Sequence, residues 1–188
     1  MKNYLIISLL FLLLGCSQNE YNIDDIIKMD NGLYTEKFSD EPITGRVYTN
    51  FGENGNLKKV YMGKLLNGKK DGLFTTWYEN GKKKNEMTFK DGGENGLEIN
   101  WYENGQKRSE VLYNDGKKIG LETTWYEYGQ KMSEALYNDG KKNGLETTWY
   151  ENGKKRSELT FKDGKEDGLW TYWYENGKKE RENTYNDG

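Results

Sequence analysis

The sequence predicts an all-β fold: an elongated, single-layer, twisted antiparallel β-meander of stacked β-hairpin repeats, preceded by a cleaved signal peptide. Three observations predict it. A motif of the form GLETTWYEYGQKMSEALYNDGKKN recurs every 24 residues, Asn-Gly and Asp-Gly pairs punctuate the copies, and the chain is too polar to fill a thick core. Each copy is one supersecondary unit, which buries its apolar surface only against its neighbours.

The repeats are strand-like segments joined by turn residues. Full copies start at Gly72, Gly96, Gly120, Gly144 and Gly168, and a looser copy starts near Gly45. In the third full copy, Leu121–Tyr126 is rich in β-branched and aromatic residues, which favours a strand. Asn-Gly is a strong hairpin signal, so we expect a two-residue type I′ turn there. We expect the Asp-Gly pair that closes each repeat to form a looser turn.

Counting outward from a two-residue turn predicts which residues share a face of the sheet. In the third copy, the pairs expected on one face are Trp125–Met132, Thr123–Glu134 and Leu121–Leu136. The other face is expected to carry Tyr126, Thr124 and Glu122 opposite Lys131, Ser133 and Ala135. Tyr137 is expected to cover Gly120.

The composition excludes one class of partner. Hydrophobic residues make up 34% of the chain and charged residues 31%, which is typical of disorder, but the 14% of aromatic residues recur with strict periodicity. The 28 basic and 31 acidic residues alternate within every repeat, so no basic stripe follows a phosphate backbone. Nucleic acid is therefore not expected as a partner.

Residues 1–15 are predicted to be a targeting segment. Lys2 precedes the apolar run Leu5–Leu14, which is too short to span a bilayer, and Gly15-Cys16 follows. The segment resembles a bacterial lipoprotein signal peptide. That resemblance implies lipidation of Cys16 and a lipid-anchored protein at the cell membrane or outer membrane, on its periplasmic side or exposed at the surface. An ordinary secretory signal is the alternative.

Two further regions follow the leader. Residues 16–31 are expected to form a tether and an N-terminal cap, in which Ile23–Met29 is a short helix or strand. Residues 32–188 are expected to form the repeat array, beginning with a strand in Leu33–Phe38. Pro42 is the only proline and precedes the full repeats, as an uninterrupted β-ladder requires.

The repeat resembles a known family. The pattern GLxxxWYENGxxxxExxYxDG, carried by Gly72-Leu73, Trp77-Tyr78, Asn80-Gly81, Asp91-Gly92 and their counterparts, is similar to the bacterial variant of the MORN repeat. This resemblance implies hairpins stacked into an elongated, twisted sheet, and it brings no catalytic or ligand motif. Some eukaryotic relatives are linked to lipids or to scaffolding, and bacterial relatives include proteins labelled as antitoxin-like.

The residues offer little for catalysis. The chain has no histidine, and its one cysteine, Cys16, is assigned to lipid. A catalytic triad or a zinc site therefore lacks its parts. A paired-carboxylate site is conceivable from Glu110, Glu134 and Glu158, but they recur at one repeat position, whereas a catalytic site is normally unique. The Asp-Gly turns lack the successive acidic ligands that calcium needs. We expect no enzyme, no metal and no cofactor.

The expected function is that of a non-enzymatic binding or scaffold module at the bacterial cell envelope, with the membrane and an unknown protein or glycan as partners. Trp and Tyr are enriched at binding hot spots. The candidate binding surface is therefore Trp77, Trp101, Trp125, Trp149 and Trp173 with Tyr78, Tyr102, Tyr126, Tyr150 and Tyr174. A purely structural role for the Trp ladder is the alternative. The alternative function is an antitoxin-like or immunity protein that neutralises a partner toxin.

Overall fold

The predicted all-β meander is confirmed. A computed structural model describes residues 19–52 and 57–186, and within these ranges 13 strands form one sheet and two form a separate hairpin. The predicted leader of residues 1–15 and the candidate lipidation residue Cys16 lie outside the described residues. In the part of the chain that is described, no helix is long and apolar enough to cross a membrane.

The strands before the full repeats are β1 (Glu20–Asn22), β2 (Ile26–Lys28), β3 (Tyr34–Glu36), β4 (Gly45–Phe51) and β5 (Lys58–Leu66). One turn of 3-10 helix, Ile23–Asp25, lies between β1 and β2. The strands of the full repeats are β6 (Lys69–Trp77), β7 (Lys83–Lys90), β8 (Gly93–Trp101), β9 (Lys107–Asn114), β10 (Lys117–Trp125), β11 (Lys131–Asn138), β12 (Lys141–Trp149), β13 (Lys155–Lys162), β14 (Lys165–Trp173) and β15 (Lys179–Tyr185).

The large sheet follows the order of the chain. Strands β4 to β15 lie side by side in sequence order, and β1 pairs parallel with β4. The looser copy near Gly45 forms the hairpin β4–β5, whose strands are antiparallel. Each full repeat is one hairpin, from β6–β7 to β14–β15, so the array grows by one hairpin every 24 residues.

A small core lies at the N-terminal end of the sheet. Ile26 of β2 joins Val47, Leu65 and Phe74 of the large sheet in one buried cluster. Phe74 packs so closely on β5 that a Cβ at Gly63 would lie 2.6 Å from its ring. The β2–β3 hairpin therefore covers one face of the first strands, which gives this end of the sheet a second layer.

The two kinds of turn are the reverse of those predicted. At the Asp-Gly pairs both residues have positive φ, for example 47° at Asp115 and 77° at Gly116, and their flanking residues Asn114 and Lys117 pair directly. These are the two-residue type I′ turns. At the Asn-Gly pairs that follow Trp-Tyr-Glu only the glycine has positive φ, as at Gly81 (79°), whereas both residues of Asn67-Gly68, between β5 and β6, have positive φ.

The Asn-Gly loop is a longer, bulged connection. The Gly81 N–H donates to the Tyr78 carbonyl (2.9 Å), and the Tyr78 N–H donates to the Lys82 carbonyl (2.9 Å). This pattern fits a turn followed by a left-handed glycine, which forms a bulge. The Asn80 side-chain oxygen accepts a hydrogen bond from the Lys82 N–H (3.0 Å), a local contact that stabilises this turn. The prediction of a type I′ turn at Asn-Gly is therefore wrong.

The bulge changes the register only at the end of the hairpin. Five expected pairings are confirmed: Thr123–Glu134, Leu121–Leu136, Gly120–Tyr137, Thr124–Ser133 and Glu122–Ala135. The expected pair of Trp125 with Met132 is wrong, because the longer loop places Lys131 opposite Trp125. Lys131 was also predicted on the wrong face, since its Nζ atom lies 5.4 Å from the ring centre of Trp149.

Tyr128 replaces asparagine in the loop of the third full repeat, and it is 78% exposed. In other repeats this asparagine donates to a glutamate carbonyl of the next loop: Asn80 to Glu103 (3.0 Å), Asn104 to Glu127 (2.8 Å) and Asn152 to Glu175 (3.1 Å).

Tyr128→Asn should add this bond, and we expect it to raise the free energy of unfolding by about 0.5–1.5 kcal/mol. Urea denaturation measures the change. Tyr128→Ala is the control without an amide, and an equal gain from it would contradict the assignment.

Candidate binding surface

The sheet has two faces with different side chains. The Trp face carries Leu121, Thr123, Trp125, Glu134, Leu136 and their equivalents in the other repeats. The opposite face carries Glu122, Thr124, Ser133, Ala135, Tyr137 and their equivalents. The Asn-Gly loops form a row along one edge of the sheet. At this edge the Trp-Tyr pair of each repeat ends the first strand of its hairpin.

The structure places the five candidate tryptophans on the Trp face, all of them half-buried. A lysine of the preceding hairpin lies over the ring in three cases: Lys83 over Trp101 (5.5 Å), Lys107 over Trp125 (5.2 Å) and Lys131 over Trp149 (5.4 Å). The same lysines form ion pairs, such as Lys107–Glu110 at 2.6 Å. Each cation–π contact at such a site contributes about 0.5–1 kcal/mol. The Trp ladder therefore joins each hairpin to the next.

The candidate tyrosines also join neighbouring hairpins. Four hydroxyl groups donate to the carbonyl of the next tryptophan in the ladder: Tyr78 to Trp101 (2.7 Å), Tyr102 to Trp125 (2.7 Å), Tyr126 to Trp149 (2.8 Å) and Tyr150 to Trp173 (2.8 Å). Tyr174, in the last hairpin described, is 50% exposed. The structure thus brings the Trp and Tyr rows together through main-chain contacts between repeats.

A row of leucines on the Trp face was not singled out by the sequence reasoning. Leu73, Leu97, Leu121, Leu145 and Leu169 start the repeats, and they are between 45% and 53% exposed. Leu112 and Leu136 extend this row on the second strands. The 24-residue repeat already placed all of these leucines on the Trp face. Their exposure could not be read from the repeat, because it arises where no second layer of described residues covers that face.

An open groove lies on the opposite face at the last two hairpins described, and the sequence reasoning missed it. It encloses about 420 Å³ and is lined by Thr148, Tyr150, Arg156, Ser157, Tyr172, Trp173, Glu180 and Arg181. The Arg156 guanidinium lies 5.8 Å from the Tyr150 ring centre, and that of Arg181 lies 4.2 Å from the Tyr172 ring centre. The signal in the sequence was the departure of Tyr172 and Arg181 from the threonine and serine of the preceding repeat.

Two tyrosines of the opposite face have perturbed ionisation. Burial, with the nearby negative charges of Glu98 and Glu94, raises the pKa of Tyr113 to about 12. Burial, with Glu122 next to it, also raises the pKa of Tyr137. Both groups therefore stay protonated and neutral near neutral pH. Among the described residues, no group of three or more acidic, histidine or cysteine side chains is placed to hold a metal ion.

The architecture defines a β-hairpin repeat protein, in which the repeating unit determines both faces. The repeat itself is identified by comparison: residues 70–91, 94–115, 142–163 and 166–187 match the MORN repeat variant. The chain therefore carries MORN repeats of the variant type, as the motif predicted, over just under half of its length. Comparison with curated proteins found no match. Such repeats suggest a binding or scaffold module.

The raised tyrosine pKa values predict an alkaline limit to stability. An unfolded tyrosine has a pKa of about 10. Because folding raises the pKa of Tyr113 to about 12, its contribution is fully present below about pH 10 and is lost as the pH rises through about 12. The urea midpoint of the wild type should fall between about pH 10 and 12, and we expect this fall to be smaller in the double variant Tyr113→Phe/Tyr137→Phe. Phe89 and Phe161 occupy the equivalent positions, so the fold accepts phenylalanine there. An identical fall of the urea midpoint with pH in the variant and the wild type would contradict this account.

Proposed function

We propose that the protein is a lipid-anchored, non-enzymatic binding or scaffold module at the bacterial cell envelope, whose partner is a protein or a glycan. The observation that carries the proposal is the single layer of the repeat sheet. In the described residues, no second layer covers the hairpins from β8–β9 to β14–β15. Equivalent side chains of successive hairpins lie about 10 Å apart, twice the strand spacing. The sheet therefore presents extended, regular surfaces to a partner.

The contacts of the Trp and Tyr rows support a structural role for them. The lysines of preceding hairpins cover part of the Trp101, Trp125 and Trp149 rings, and the Tyr102 hydroxyl donates a hydrogen bond to the Trp125 carbonyl. These side chains are then scaffolding for the surfaces beside them. The Trp face as a whole remains a candidate contact surface, because its leucines are exposed.

The anchor is proposed from the leader, whose resemblance to a lipoprotein signal implies a lipidated Cys16. Several acyl chains together hold a protein firmly on a membrane, whereas one chain binds only reversibly. No observation on the sheet favours the antitoxin-like alternative. In that alternative the partner is a toxin encoded by a neighbouring gene, and the experiment below therefore includes the proteins that neighbouring genes encode.

The test is capture of a partner by the full-length protein from envelope fractions, from purified cell-wall polymer and from products of neighbouring genes. The informative variant is Leu112→Thr/Leu136→Thr, because Thr88 and Thr160 occupy the equivalent positions in other repeats. We expect a partner of the Trp face to be lost from this variant while its melting temperature is retained. Trp101→Ala/Trp125→Ala/Trp149→Ala should lower the melting temperature instead. If the wild type retains no partner from any of the three sources, the binding proposal is wrong.

The anchor is tested in the same cells by fractionation. Wild-type protein should sediment with membranes and take up a labelled fatty acid, and Cys16→Ser should do neither. Sedimentation and labelling that persist in Cys16→Ser would contradict the anchor but not the binding proposal.

A further inference from the structure

The five full repeats vary much more on one face than on the other. On the Trp face, four of the six positions carry the same residue type in all five repeats: the leucine that follows the first glycine, the tryptophan, and the lysine and glutamate of the second strand. Of the six paired positions on the opposite face, only the first glycine is identical in all five repeats. The residues equivalent to Glu122, Thr124, Ser133, Ala135 and Tyr137 all change type at least once.

This difference separates two requirements. The Lys–Trp and Tyr–carbonyl contacts that recur between neighbouring hairpins lie on the Trp face and in the loop row, so the residues that make them repeat. The opposite face is not held to one residue type by that stacking. Its largest departures lie in the last hairpin described, where Tyr172 stands in place of Thr148, Arg181 in place of Ser157, and Glu180 in place of Arg156. These residues line the groove described above.

The groove brings two positive charges into one open space. Arg156 and Arg181 are both exposed; the Arg181 guanidinium lies 4.2 Å from the Tyr172 ring centre, and that of Arg156 lies farther, 5.8 Å, from the Tyr150 ring centre. Stacking on Tyr172 holds the Arg181 guanidinium in place while its N–H groups stay available. Between the two strands, Ser157 is only 5% exposed and its hydroxyl is bonded to Thr148 at 2.7 Å. The Ser157 hydroxyl thus has a partner, whereas neither Arg156 nor Arg181 takes part in an ion pair with another described residue, so their N–H groups are available.

We propose that this groove binds carboxylate side chains of an acidic peptide segment on a protein partner. The planar guanidinium fork matches a carboxylate in a bidentate pair. The Glu180 carboxylate in the lining repels a doubly charged phosphate more strongly than a singly charged carboxylate. A sugar acid would use a bare aromatic face, and the Arg181 guanidinium covers the Tyr172 ring at 4.2 Å. This inference rests on the proposed binding function and names the chemistry of the partner.

The test is titration of the full-length protein with hexaglutamate at low salt, followed by calorimetry. Arg156→Met and Arg181→Ser are the test variants, because Met132 and Ser133 occupy the equivalent positions in the third repeat. Each should weaken hexaglutamate binding about tenfold or more, since each removes a charge-assisted pair. Added salt should weaken binding to the wild type.

Arg108→Met is the matched control. Arg108 occupies the same repeat position as Arg156 and lies at the same 5.8 Å from its own tyrosine, Tyr102, but the next hairpin carries Ser133 where the groove has Arg181. It should leave the affinity unchanged within about twofold, well below the tenfold loss of the test variants. An equal loss in Arg108→Met would show attraction to general surface charge and overturn the site.

A gain of binding gives a second readout that does not depend on a weakened variant. Thr124→Tyr/Ser133→Arg places the groove residues beside Arg108, and it should raise the stoichiometry from one hexaglutamate to two. Absence of saturable hexaglutamate binding to the wild type overturns the proposal, as does tighter binding of hexagalacturonate through the same arginines. Capture of an envelope partner that persists in either case would leave the proposed function standing and remove only this inference.

Discussion

The fold depends on contacts between neighbouring hairpins, because in the described residues the hairpins from β8–β9 to β14–β15 form a single layer with no opposing sheet to pack against. The Tyr102 hydroxyl on the Trp125 carbonyl is the repeated form of this contact, and the Lys107 ammonium over the Trp125 ring reinforces it. Cross-strand pairs contribute only about 0.2–1 kcal/mol each. Stability therefore accumulates along the array, with each internal hairpin supported from both sides, and the capped N-terminal end supplies the only described hydrophobic cluster with a second layer.

The two turn types determine which surface each side chain reaches. The type I′ turns at Asp-Gly join adjacent hairpins with direct pairing, whereas the bulged Asn-Gly loops bring Lys131 onto the Trp face. That placement completes the stacking surface, which the repeats then keep nearly constant. The opposite face is released from this requirement, so Tyr172 and Arg181 can differ from their equivalents without disturbing the stack. Repeat packing thus constrains the Trp face more than the opposite face of the same layer.

Much of this architecture could be predicted from the sequence because it follows from periodicity. A period of 24 residues with alternating side chains fixed the pairs Thr123–Glu134 and Leu121–Leu136. The Asn-Gly turn could not be predicted by its dipeptide alone, since the Asn80 side chain bonds the Lys82 N–H and only the glycine becomes left-handed. The groove was missed because its arginines come from two successive repeats, and only the folded structure brings Arg156 and Arg181 into one lining.

The central claim, that the repeats are held by bonds from each hairpin to the next, is tested most directly by comparing Tyr102→Phe with Tyr174→Phe. The two substitutions remove the same hydroxyl from the same repeat position. Of these two tyrosines, only Tyr102 donates to a following tryptophan within the described residues. In urea denaturation, Tyr102→Phe should lower the free energy of unfolding by about 0.5–1.5 kcal/mol, and Tyr174→Phe should change it by less than about 0.5 kcal/mol. Equal effects would contradict the claim and place the stability of the sheet in the strands alone.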